Sequence, residues 1–202
     1  MKKLAVLGMG AVFLLSMPIV VSATVLEGSF SGRADHSGGT PGVYVAAESY
    51  TAYQILNTTQ QNPWYPWNGA FEYTLRITTS VTSYTTGATE TVNFADATVE
   101  IWEDAGTTAN FAATGTFTDG TLVLSGTISN MVGQRVNAFG FPYGVTGDLV
   151  LDGGTGLGNV DPQCNGNMVI NDFINFQIPF GGWPDAQGYE EAYDSKFDCK
   201  DA

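Results

Sequence analysis

Apolar and polar side chains alternate with a period of two along much of this 202-residue chain. That period places one set of side chains on each face of a β-strand. Leu26, Phe30 and Ala34 share a face opposite Glu27, Ser29, Ser31 and Arg33. Phe71, Tyr73, Leu75 and Ile77 lie opposite Glu72, Thr74, Arg76 and Thr78, and Ala97, Val99 and Ile101 opposite Thr98, Glu100 and Trp102. Val145, Leu149 and Leu151 line up against Thr146, Asp148 and Asp152, with Val150 an apolar exception on the polar side. Further strands are expected at Gly42 to Ala47, near Thr91 to Phe94, and around Phe173 to Ile178.

Asp119-Gly120 reads as a two-residue hairpin turn. That turn sets Phe111 opposite Ile128, Ala113 opposite Gly126, Gly115 opposite Leu124 and Phe117 opposite Leu122, with the large apolar side chains on one face except for Val123. In the tail, Tyr189, Ala192, Tyr193 and Phe197 have helical spacing and predict a short amphipathic helix. About nine short strands with turn-rich connections predict an all-β antiparallel sandwich, with a closed barrel as the alternative. Residues 57 to 69 and Gly153 to Gly158 read as loops.

The amino-terminal segment changes the setting of this domain. Lys2 and Lys3, an apolar run from Leu4 to Val21 and the small-residue site Val21-Ser22-Ala23 have the form of a secretory signal peptide over residues 1–23. A single β domain over 24–202 is then expected outside the cytoplasm, secreted or periplasmic or at the cell surface, with no membrane span once the signal is cleaved. Cleavage leaves Arg33, Arg76, Arg135, Lys196 and Lys200 against 20 acidic residues, hence a net charge of −15. Such a surface repels phosphate backbones and argues against nucleic acid as a partner. Cys164 and Cys199 are the only cysteines, and in an oxidising compartment they are expected to pair. The loop so closed, of about 36 residues, carries a chain-entropy stabilisation of roughly 3.8 kcal/mol.

Candidate chemistry is sparse. His36 is the sole histidine, it is expected in an exposed loop, and no Gly-x-Ser-x-Gly elbow accompanies it. Glu100-Ile101-Trp102-Glu103-Asp104 is the best local candidate for a glycosidase carboxylate pair. Trp102 and Ala105, however, stand where a Glu-x-Asp-x-x-Glu strand motif needs acids, so Glu100 is read as a solvent-facing strand residue. Trp64, Tyr65 and Trp67, spaced by Pro63 and Pro66, offer flat rings on a stiffened loop; they either stack on sugars or fold inward and plug one end of the fold. From Asp161 to Asp172, oxygen side chains at positions 1, 3, 5, 7 and 12 with glycine at 6 outline an EF-hand-like calcium loop in which Asp161, Asn165 and Asp172 are the candidate ligands. Only two of its side chains are carboxylates, so calcium would bind weakly, and no other cofactor is expected. The combined expectation is an exported, non-catalytic module that binds an extracellular glycan or a cell-surface partner. A secreted carbohydrate-active enzyme and a passive surface or matrix component are the competing classes.

Overall fold

A computed structural model describes residues 27–38, 43–56, 65–106, 108–136, 143–175 and 191–199. Nine strands are present among them: β1 Glu27–His36, β2 Ser49–Leu56, β3 Glu72–Thr85, β4 Thr89–Phe94, β5 Ala97–Asp104, β6 Thr121–Val136, β7 Tyr143–Gly153, β8 Met168–Asn175 and β9 Glu191–Cys199. All pairings are antiparallel, and apart from β4 and β5, which do not pair with each other, strands adjacent in sequence are adjacent in the wall, around a circuit that β9 closes against β1, from Glu27↔Asp198 to Ala34↔Glu191. Two long strands explain how nine strands fill eight positions. The first half of β3 pairs with β5, from Glu72↔Asp104 to Thr78↔Thr98, and its second half pairs with β4, from Val81↔Phe94 to Thr85↔Thr91. β6 does the same on the far side, so β4 and β5 share one rung of the wall.

The sandwich expectation therefore yields to its alternative, a closed barrel. Closure leaves no unpaired edge, and one core serves the whole wall. Phe30, Tyr50, Leu75, Ile77, Val99, Ile101, Leu124, Ile128, Ile170 and Phe197 are all buried in it. An eight-stranded barrel has an interior just wide enough for side chains to fill or for one small ligand. Near the middle of β7 it is filled: a Cβ on Gly147 would lie 2.5 Å from Ile128 Cγ2 and 3.3 Å from Ile170 Cγ2. One amide lies in this interior, where the Nε2 of Gln54 donates to Ser195 Oγ at 2.9 Å. Outward positions carry Arg76, Thr78, Thr98, Glu100, Thr127, Thr146, Asp148 and Asp152, a wall suited to water rather than the apolar band of a lipid-facing barrel. Among the described residues no helix is long and apolar enough to cross a membrane.

Four local expectations are corrected. The tail is a strand, β9, because the barrel needs a partner between β1 and β8; Ser195 and Phe197 turn inward while Lys196 remains partly exposed. Residues 111–117 do not pair with β6. Instead a 3-10 turn over Thr114–Phe117 folds against the outside of β2 and β3, where Phe117 packs on Tyr53 at 5.5 Å and on Phe111 at 4.9 Å, and its carbonyl accepts from Thr74 Oγ1 at 2.7 Å. β6 takes β5 and β7 as its partners. The register shift opposite Ile101 and Trp102 accounts for Val123, which is buried alongside Leu124. Residues 43–47 are a loop and the strand falls at Ser49–Leu56. The strand expected near Phe173 to Ile178 begins earlier, at Met168.

Candidate functional site

Side chains at the two mouths of the barrel differ in kind. One mouth is formed by the start of β1, the end of β2, the start of β3 and the ends of β5 and β9; we call it the disulfide end, since Cys164 and Cys199 are bonded there with Cα atoms 4.8 Å apart. The bridge fits an oxidising compartment. Tyr65 and Trp67 lie at this end and fold inward: Tyr65 is 6% exposed, and the Trp67 ring packs on Tyr65 at 4.6 Å, on Tyr73 at 4.9 Å and edge-on to Phe30 at 5.9 Å. They close the mouth instead of presenting a stacking platform. Trp64 lies outside the described residues, as do residues 1–26 with the expected signal. The Tyr73 hydroxyl donates to Glu103 at 2.5 Å and accepts from the amide of Asn68 at 3.1 Å. Burial first, then its bond to the Glu103 carboxylate, pushes the Tyr73 phenol up to about 12. Burial likewise raises Tyr65, with the Glu103 charge adding to it.

Charge dominates the opposite mouth, the ionic end. Glu90 on β4 and Arg135 on β6 face inward and meet with Arg135 Nε 2.5 Å from Glu90 Oε2. Tyr143 on β7 and Tyr84 on β3 donate to the same carboxylate at 2.7 and 3.1 Å, and the Arg135 guanidinium lies 4.7 Å from the Tyr143 ring centroid. Burial alone would raise the Glu90 pKa; the bonds from Arg135, Tyr143 and Tyr84 outweigh it and hold the carboxyl below its ordinary value. Tyr143 moves upward, through burial and its bonds to Tyr84 and Glu90. Beside this cluster a second pair is fully enclosed. His36, the last residue of β1, is 5% exposed rather than displayed on a loop, and its Nδ1 lies 3.1 Å from Glu48 Oε2. Glu48 Oε1 accepts from the amide of Val45 at 3.0 Å. Gly38 leaves room for this pair, since a Cβ at that position would push the Glu48 carboxylate aside.

The acids of the 100–104 segment do not form a facing pair. Strand alternation points Glu100 outward to Arg76, whose Nε donates at 2.7 Å, and Glu103 inward to Tyr73. Asp104 accepts from Gly106 N and Thr108 Oγ1, fixing the turn after β5. The calcium-loop residues also part company. Asp161 caps its own turn, accepting from Gln163 N at 2.8 Å, while Asn165 is exposed beside Gly166 at φ +73°. Asp172, by contrast, is drawn into β8 opposite Val145 and Ser195 and is 1% exposed inside the barrel. Asp172 thus faces the barrel interior while Asn165 faces solvent, and no three His, Cys, Asp or Glu among the described residues gather as a metal site.

Glu48, Glu90, Arg135 and Tyr44, which shapes the ionic end, are absent from the sequence-derived candidates. Glu90 was legible in principle: it stands two residues before Val92 and four before Phe94, in phase with an apolar face, and a charge on a core face needs a partner. Tyr44 carries no such signal, since no periodic element contains it. No protein-family model, curated protein or solved structure matches the chain.

Proposed function

We propose that the protein is an exported, non-catalytic β-barrel module that binds a neutral glycan or a cell-surface partner through its outer wall. The observation that carries this reading is the engagement of the acids a hydrolase would use. Glu90 is held ionised by a cation and two phenols, Glu103 is tied to Tyr73 inside the wall, and Glu100 is paired with Arg76 outside it. None of these three faces another across a cleft, which the acid and base of a glycosidase must do. What remains available is an outer wall of hydroxyls and carboxylates, on which Trp102, outward between Ile101 and Glu103, is half-buried with its indole nitrogen enclosed and offers part of its ring. Hydroxyl-rich strands flanking a tryptophan suit the alternating polar and apolar faces of a sugar.

A glycan array run beside a hydrolysis screen on the same polysaccharides tests the reading. Binding without turnover is the expected result. Turnover of any bound polysaccharide would replace the module with an enzyme, and absence of both binding and turnover would leave a passive surface component.

A further inference from the structure

Tyr44 belongs to a loop, yet its ring is almost completely buried at the ionic end, 3% exposed. Around it stand His36, Tyr50, Tyr84, Phe94 and Tyr143, on five different strands, with ring centroids 5.4, 6.2, 5.7, 6.3 and 5.5 Å from its own. The Tyr84, Phe94 and Tyr143 rings meet it edge-on, at interplanar angles of 72°, 79° and 80°. These are the separations and angles at which aromatic rings attract beyond simple area burial. Glu90 and Arg135 lie behind Tyr84 and Tyr143 and give this cage a polar floor.

Two observations set Tyr44 apart from a core residue fixed by the sheet. Its neighbours Val43 and Val45 are 48% and 55% exposed, so the backbone runs over the surface while the Tyr44 ring, and Glu48 at the end of the segment, dip inward. The turn that returns the chain to β2 is also strained. Glu48 N bonds back to Val45 O at 3.1 Å with Ala47 at φ +73°, a left-handed conformation disfavoured for any residue with a Cβ. Against that strain the loop is latched by His36 on Glu48, by Glu48 on the Val45 amide, and by two backbone bonds to Val81. Strain kept in a surface turn by surrounding contacts is a recurrent property of segments that move.

We propose that residues 43–48 are a withdrawable plug, and that the cage of His36, Tyr50, Tyr84, Phe94 and Tyr143 is a binding site for a small phenol- or indole-like molecule that replaces the Tyr44 ring. The occupant's chemistry is read from the ring already seated there. A ligand of this kind competes with the plug, so its apparent affinity is the cage's own affinity reduced by the fraction of molecules with the plug withdrawn. The site is internal and independent of any partner on the outer wall.

The test is titration of the full chain with p-cresol, the tyrosine side chain cut free, followed by calorimetry and by NMR shifts of the barrel methyl groups. Wild type should bind, and Tyr44→Ala should bind at least tenfold more tightly because its cage is vacant. Ala47→Gly relaxes the plugged turn and should weaken binding about fivefold, the factor that corresponds to roughly 1 kcal/mol. Glu48→Gln loosens the latch and should strengthen it. Cyclohexanol, of similar size without an aromatic face, should bind at least tenfold more weakly than p-cresol. Binding by Tyr44→Ala with none by wild type would make Tyr44 a permanent core residue and overturn the proposal. Should Tyr44→Ala fail to fold, equal affinities in wild type, Ala47→Gly and Glu48→Gln would overturn it, as would equal binding of cyclohexanol.

Discussion

The two mouths of this barrel are closed by different physics. At the disulfide end, Trp67, Tyr65, Tyr73 and Phe30 bury aromatic area against one another and a covalent bond holds β9 in place. At the ionic end a carboxylate, a guanidinium and a group of phenols are enclosed together, and each tolerates burial because the others satisfy it. The first arrangement rests mainly on packed rings and a covalent bond, with the Tyr73 and Glu103 pair its chief polar contact. In the second, removing one member strands a charge in a medium of low dielectric.

That difference can be broken most forcefully at Arg135. Replacing it with methionine leaves Glu90 buried without its countercharge, for which a loss of about 3–5 kcal/mol in unfolding free energy is expected by urea titration. Adding Glu90→Leu in the same chain should restore much of the loss; a double variant as unstable as the single one would mean that the site depends on packing and not on charge. At the opposite mouth, Cys164→Ser with Cys199→Ser should cost about 2–4 kcal/mol. A non-reduced digest of the wild type should contain the Cys164 and Cys199 peptides joined.

Acidity sharpens the comparison with a smaller effect. The folded-state pKa of Glu90 is lowered, so its stabilising contribution is complete above the ordinary glutamate pKa of about 4.3 and disappears as the pH falls through the lower folded value. Urea midpoints of wild type and Glu90→Gln should therefore converge as the pH drops below about 4. Alkaline behaviour differs in sign. Tyr73, raised from 10.0 to about 12, contributes stability that is complete below pH 10 and lost as the pH rises toward 12. Tyr73→Phe should remove part of that alkaline limb and leave the rest to Tyr65 and Tyr143, which are also raised. An unchanged alkaline limb in Tyr73→Phe would show that Tyr73 does not contribute to it.

Those charged residues also mark the limit of what periodicity can reveal. Tyr73, Leu75 and Ile77, or Ala97, Val99 and Ile101, are legible because each is an unbroken apolar run on the inward face, and the structure buries every one of them. β9 was hidden because a polar residue, Ser195, is buried two positions from Phe197, which interrupts the apolar alternation and left the spacing of Tyr189, Ala192, Tyr193 and Phe197 to suggest a helix. The hairpin at Asp119-Gly120 satisfied every local rule of register. It failed because Phe117 had a better alternative, the outer face of Tyr53, which belongs to a strand more than sixty positions earlier. Sandwich and barrel have the same alternation, and only the pairing of β1 with β9 distinguishes them. The ionic mouth was least legible, since Glu48 and Tyr44 lie on a loop and acquire partners only when the wall curves around them.

The pairing of β1 with β9 also carries a consequence for how the chain reaches this state. Glu27 and Asp198 are hydrogen-bonded neighbours, so a polypeptide emerging amino end first cannot seal its wall until β9 has arrived. During that interval β1 and β8 each present a row of unpaired amides and carbonyls, the feature that invites one chain to template another. Contacts so distant in sequence form slowly, and the interval is long on the timescale of small helical domains. A strongly negative chain gives each unsealed molecule a repulsion from its neighbours throughout that wait. Its acidity thus opposes association between copies while the wall is still open.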